Sequence, residues 1–129
     1  MSIKTVTPTT PELFGTSPVL PVGDIPAAVN YYCDTLGFAL DFVMGEPPSH
    51  SSMTRGRVGI QFTNAPSDFS ANDYPGWFYF LVDGIDTPYE DYTAKRVTVS
   101  RALQSHAHGM REFEVVDCNG FHLRFGQYL

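Results

Sequence analysis

Positive charge is scarce in this sequence. Eight Lys and Arg stand against fourteen Asp and Glu, leaving a formal charge of −6 over 129 residues. A phosphate backbone or an anionic bilayer needs a basic face, so the balance argues against nucleic-acid and membrane partners. A cationic or neutral small ligand suits it better. Cysteine is scarcer still: Cys33 and Cys118 lie 85 residues apart, with no CxxC pairing. That usage points to reduced thiols in a reducing, cytoplasmic compartment. No window reaches the roughly 18 to 20 apolar residues of a membrane span. The opening stretch, MSIKTVTPTTPELFG, lacks the apolar run of a secretory signal. The expectation is a soluble, intracellular protein.

Hydrophobic residues make up 43% and charged residues 17%, a globular balance, and the length allows one core rather than two. The chain also repeats itself. SPVLPVGDIPAAVNYYCDTLGF (17–38) runs as a strand and then as a helix, with Ile25, Val29, Tyr32 and Leu36 on one helical face. Asp24 is placed to cap that helix and Gly37 to stop it. WFYFLVDGIDTPYEDYTAKRV (77–97) repeats the pattern: Ile85, Tyr89, Tyr92 and Arg96 each follow their counterpart by 60 residues. Thr87-Pro88-Tyr89-Glu90 reads as a capping box with proline at the first helical position. The closing strands, RVGIQFTN (57–64) and GFHLRFGQ (120–127), match at an offset of 63.

Each half has room for two further strands: FALDFVM and SSMTRG in the first, VTVSRAL and MREFEVV in the second. Both halves therefore read β-α-β-β-β, a duplicated unit. The Pro-, Gly- and Asn-rich stretch between them has linker chemistry, and Asp117-Cys118-Asn119-Gly120 reads as a hairpin turn. The expected organisation is an N-terminal arm (1–16) and a single domain (17–129). The domain divides into a first module (17–64), a linker (65–76) and a second module (77–127).

Alternation along the strands assigns faces. Leu20, Val22, Ile60, Phe62, Phe78, Phe80, Leu123 and Phe125 are expected to pack under the helices. The opposite face then carries Ser17, Val19, Gln61, Thr63, Trp77, Tyr79, His122 and Arg124. Glu112 and Glu114 join it if Phe113 and Val115 face the core. A concave face so rich in polar and aromatic groups makes a cleft suited to a small molecule.

Two of these segments carry a resemblance. PVLPVGDIPAAVNYYCDTLGF resembles the strand–helix opening of the glyoxalase, bleomycin-resistance and ring-cleaving dioxygenase superfamily (the vicinal oxygen chelate, or VOC, superfamily), and GMREFEVVDCNGFHLRFGQ resembles its closing hairpin. The likeness covers residues 17 to about 127. It implies an α+β fold of two tandem βαβββ modules that form a curved mixed sheet around a cleft, with helices outside, often completed by dimerisation. Enzymes of that superfamily use a divalent metal held by His, Glu or Gln. Position by position, the four ligand sites fall here on Ser17, Gln61, Trp77 and Arg124, of which only Gln61 could serve. The resemblance is therefore to the metal-free, bleomycin-resistance-like members, with no cofactor expected. A substitute metal site from Glu112, Glu114 and His122, joined by His106 or His108, is the alternative.

Each candidate residue carries a functional and a structural reading. Trp77 and Tyr79, with Tyr74, form either a stacking wall for a planar or cationic ligand or a packed cluster. Arg124 is an anchor for an anion or the partner of Glu112 or Glu114. His122 is a hydrogen-bonded strand residue or, with Glu112, a candidate catalytic base. His106 and His108 flank the Gly109 loop at the cleft mouth. The expected ligand-binding set is Ser17, Gln61, Trp77, Tyr79, Glu112, Glu114, His122 and Arg124. The leading expectation is a homodimer that binds or sequesters a small aromatic or cationic compound, as in antibiotic resistance. The alternative is a VOC lyase, isomerase or dioxygenase with a relocated metal.

Overall fold

A computed structural model describes residues 12, 13 and 15–129; residues 1–11 and 14, most of the expected arm, lie outside the described residues. The first module comprises β1 (Val19–Val22), α1 (Ile25–Asp34), β2 (Ala39–Met44), β3 (His50–Arg55) and β4 (Val58–Asn64). After a short helical turn at Ala71–Asp73 come β5 (Phe78–Leu81), α2 (Asp86–Ala94), β6 (Thr98–Ser105), β7 (Met110–Val116) and β8 (His122–Tyr128). Each module forms its own four-stranded mixed sheet, ordered β1-β4-β3-β2 and β5-β8-β7-β6. In both, the first strand pairs parallel to the last and the rest pair antiparallel. Among the described residues no helix is long and apolar enough to cross a membrane.

Helix α1 forms as its periodicity implies. Asp24 Oδ1 accepts from Ala27 N at 3.0 Å, which satisfies an otherwise orphaned amide, and Ile25, Val29 and Tyr32 are buried, as is Leu36 just beyond the helix. Gly37 follows at φ +81, where a Cβ would meet the Arg55 guanidinium; only glycine turns the chain there without a clash. Helix α2 departs from expectation at both ends. It starts at Asp86 under an Ile85 cap that makes no side-chain hydrogen bond, not at a Thr87 capping box. Gln127 Oε1 accepts from Ile85 N at 2.7 Å instead, so β8 does the work of a cap. Arg96 lies past the helix with φ 61, and Val97 N closes the turn onto Tyr92 O. It is therefore exposed rather than on the buried face.

The expected core set is buried, with Phe78 partly so, and it joins one continuous cluster with Tyr32, Leu36, Tyr92 and Phe113. The modules meet through that cluster. Tyr32 donates to Asp117 Oδ2 at 2.5 Å, and Tyr92 donates to Leu36 O at 2.8 Å. Asp117 Oδ1 also accepts from the amides of Asn119, Gly120 and Phe121 at 2.8–2.9 Å. One buried carboxylate thus ties the β7–β8 turn to the first module's helix.

Because each sheet turns its apolar face to the shared core, its polar face looks outward. Each polar face is turned away from the shared core. Asp117→Ala strands three amides and a tyrosine hydroxyl, so it should cost about 3 kcal/mol in urea unfolding, against about 1 kcal/mol for Tyr32→Phe. Equal losses would show that the turn amides are satisfied without Asp117.

Candidate functional site

Register decides which side chains share the outer faces. In the second module Glu114 stands opposite Arg124, Glu112 opposite Gly126, and Tyr79 beside Arg124. Phe113 and Val115, between the glutamates, are fully buried in the core. Trp77, Tyr79, Glu112, Glu114, His122 and Arg124 therefore come together on one face, as expected. Ser17 and Gln61 lie on the other module's face.

Glu114 is 4% exposed and its oxygens are fully engaged. Oε1 accepts from Arg124 Nε at 3.0 Å and lies 2.8 Å from Nη2 in an ion pair. Oε2 accepts from Ser100 Oγ at 2.6 Å and lies 2.8 Å from His122 Nδ1. Burial pushes this carboxyl up, but the Ser100, His122 and Arg124 hydrogen bonds outweigh it and hold it below the usual range. Arg124 is committed as well: its guanidinium carbon sits 3.9 Å from the centroid of the Trp77 ring, a cation–π contact of about 1 kcal/mol. The ion pair fixes Arg124, and Arg124 fixes Trp77. Even so, Trp77 remains 51% exposed.

Glu112 anchors a second group. It is 8% exposed and accepts from the Tyr79 hydroxyl at Oε2. His106 Nε2 lies 3.6 Å from Oε1 and His108 Nε2 3.7 Å from Oε2, with the two imidazoles stacked at 5.3 Å. Burial raises the carboxyl, but Tyr79, then His108 and His106, bring it below the usual range. Tyr79 itself is pushed up to about 12 by burial and the neighbouring carboxylate, so it stays a donor. Gly126 makes this possible. A Cβ there would overlap the Tyr79 hydroxyl and ring, so the phenol crosses β8 only over a glycine.

On the first module's face the residues around Gln61 are neutral, and Asp41 is the carboxylate nearby. His50 Nε2 donates to Gln61 Oε1 at 2.7 Å, and Gln61 Nε2 donates to Ser17 Oγ at 3.2 Å. Phe42 stacks on His50 at 6.0 Å. Alternation along HSSMTR puts His50 and Ser52 on one face, but only the β3–β4 register, which pairs Ser52 with Gln61 and His50 with Thr63, sets His50 diagonally next to Gln61, so sequence reading missed it. Asp41 accepts from Ser52 and Thr54.

The superfamily's metal does not fit these residues. Gln61 spends its amide on His50 and Ser17, and Arg124 brings a cation onto the ring of Trp77, which has no donor for a metal. The substitute set is split as well: His122 sits with Glu114, whereas His106 and His108 flank Glu112. Among the described residues no three His, Cys, Asp or Glu side chains are grouped to hold an ion.

Two tandem βαβββ modules, each with one polar sheet face turned outward, define a paired-module α+β protein. The chain belongs to the Glyoxalase/Bleomycin resistance protein/Dioxygenase superfamily, whose profile matches residues 16–125. No sequence relative matches among curated proteins. Three solved structures share the fold. The bleomycin-binding protein of bleomycin-producing Streptomyces verticillus, complexed with copper(II)-bleomycin, is 24% identical with TM-score 0.71, over 88% of this chain and 95% of that one. The bleomycin resistance determinant encoded on transposon Tn5 is 20% identical with TM-score 0.72, over 90% and 98%. TnmS3, an antibiotic binding protein from Streptomyces sp. CB03234, is 16% identical with TM-score 0.72, over 94% and 100%. At these identities the likeness is one of fold.

Two outcomes follow from the geometry. Gly126→Ala should cost about 2 kcal/mol by crowding Tyr79, and most of that loss should vanish in a Tyr79→Ala background; an equal cost in both would separate the two residues. Glu112 and Glu114 both titrate below their ordinary value of about 4.3. Their contribution is therefore complete above that value and lost as pH falls through the lowered folded values. Thermal stability should drop from about pH 5 to about pH 3, with a flatter profile for Glu114→Gln. Parallel profiles would contradict the network.

Proposed function

We propose that this chain binds and sequesters a small, partly aromatic, cationic compound without a resident metal, in a cleft that two copies complete. One observation carries the reading. The Trp77 ring is braced by Arg124 through Glu114 yet half exposed, so it is a preordered stacking surface. Of the two buried glutamates on the same sheet face, only Glu112 lacks an arginine partner among the described residues, which favours a cation there. Arg124, already paired, is a poor anchor for an acid. The fold shared with bleomycin- and antibiotic-binding proteins supports an antibiotic-resistance use, and the reduced cysteines suit a cytoplasmic one.

A cleft needs two walls, and each sheet turns its polar face away from the core that the two share. Among the described residues the edge strands β1 and β5 have no partner on one side, and Val19, Tyr79 and Leu81 within them are 40–57% exposed. A homodimer that sets β1 of one copy near β5 of the other would place the Phe42–His50 wall across from Trp77. The second reading, an enzyme with a relocated divalent metal, draws only on the His106 and His108 imidazoles near Glu112. Elemental analysis after metal loading tests it.

Trp77 is the only tryptophan, so its emission reports the site directly. Aromatic amines and cationic glycopeptides should quench it and raise the melting temperature by mass action, and Glu112→Gln should weaken them about tenfold. Quenching by small acids alone would reverse the charge assignment. Trp77→Ala and Phe42→Ala homodimers should each fail to bind, while mixed dimers regain one intact site. If the mixture stays silent, the cleft lies within one chain.

A further inference from the structure

On the core side of the molecule, away from the Trp77 face, a groove of about 690 Å³ runs between the modules. That volume is typical of small-molecule sites. Its floor is apolar: Phe38, Phe80, Tyr92 and Phe125 line it and are buried. Its rim is the tight β3–β4 turn, which presents Arg55 and Arg57, with Asp83 across the opening.

Arg55 is held rather than loose. Nη1 donates to Leu36 O at 2.7 Å and to the Tyr92 hydroxyl at 2.8 Å. Its other guanidinium nitrogens, and all of Arg57, make no ion pair among the described residues. Two guanidiniums against one carboxylate leave this rim with a local charge of +1, on a chain whose formal charge is −6. An anion is steered away from most of this surface and toward this rim. The guanidinium fork also matches a carboxylate or sulfonate.

We infer that the groove is a second binding site, specific for an amphipathic organic anion. Its apolar body lies on Phe80 and Phe125, and its carboxylate or sulfonate meets Arg55 and Arg57. The site is independent of the Trp77 face and prefers the opposite charge.

Anilinonaphthalene sulfonate, titrated into the full chain by fluorescence, should bind saturably at one per chain. Decanoate should displace it and decylammonium should not. Arg57→Glu, an exposed change, should weaken the dye about tenfold. Val58→Trp, which fills the groove, should abolish it while circular dichroism stays native. Trp77→Ala should leave it intact. The inference is overturned if the wild-type chain shows no saturable binding, as when a second copy or residues 1–11 occupy the groove. It is equally overturned if Trp77→Ala removes the dye while both groove variants keep it. Either failure leaves the cation site untouched, since a different ligand reads that site.

Discussion

The structure depends on one constraint: both sheets turn their apolar faces to a single core. The Tyr32–Asp117 and Tyr92–Leu36 hydrogen bonds lock the modules together on that side. Most of what is polar on the strands then faces out, because an unpaired polar group in such a core costs several kcal/mol; Ser51 on β3, fully buried with no partner for its hydroxyl among the described residues, is an exception. The placement of Trp77, Glu112, Gln61 and His50 is thus a consequence of core formation as much as of binding. Where the helices pack decides which face is left for the proposed ligand.

The Glu114–Arg124 pair is weak evidence of stability. Desolvating two charges roughly cancels their attraction, so an apolar pair could hold the strands equally well. Its effect is positional. With three kinds of donor on one carboxylate, Arg124 has little freedom, and its flat guanidinium lies beneath the indole. A stacking surface that is already ordered loses less entropy when a ligand arrives. Tyr79 over Gly126 is the same device in a second place, with a phenol fixed by a carboxylate and a missing side chain beneath it.

Much of this was legible in the residues. The 60- and 63-residue offsets announced two copies of one unit, and strand alternation sorted core from surface. Asp24 and Gly37 marked the ends of α1 because their chemistry is local. The start of α2 was not legible, because its first amide is satisfied by Gln127, 42 residues away. Nothing in Thr87-Pro88-Tyr89-Glu90 reveals a distant cap. The proximity of His106 and His108 to Glu112 depends on the turn that closes β6 onto β7. The outward orientation of both faces is a fact of packing between modules, on which alternation within a strand is silent.

The duplicated positions have diverged in a way that constrains what the protein can hold. Ser17 and Gln61 join His50 in a neutral hydrogen-bonded chain; their counterparts, Trp77 and Arg124, form a cation–π stack. A metal centre would need all four to converge as donors of similar softness. Here one half offers dipoles and the other an aromatic plane and a satisfied charge. A ligand placed between such walls gains most from buried ring surface, at roughly 25 cal/mol per Å². In the function proposed above, charge then mainly selects: Glu112, buried and lacking an arginine partner among the described residues, would favour a cation and penalise an acid. On that proposal affinity and selectivity rest on different side chains, so the stacking wall can stay fixed while the charge elsewhere on the face changes.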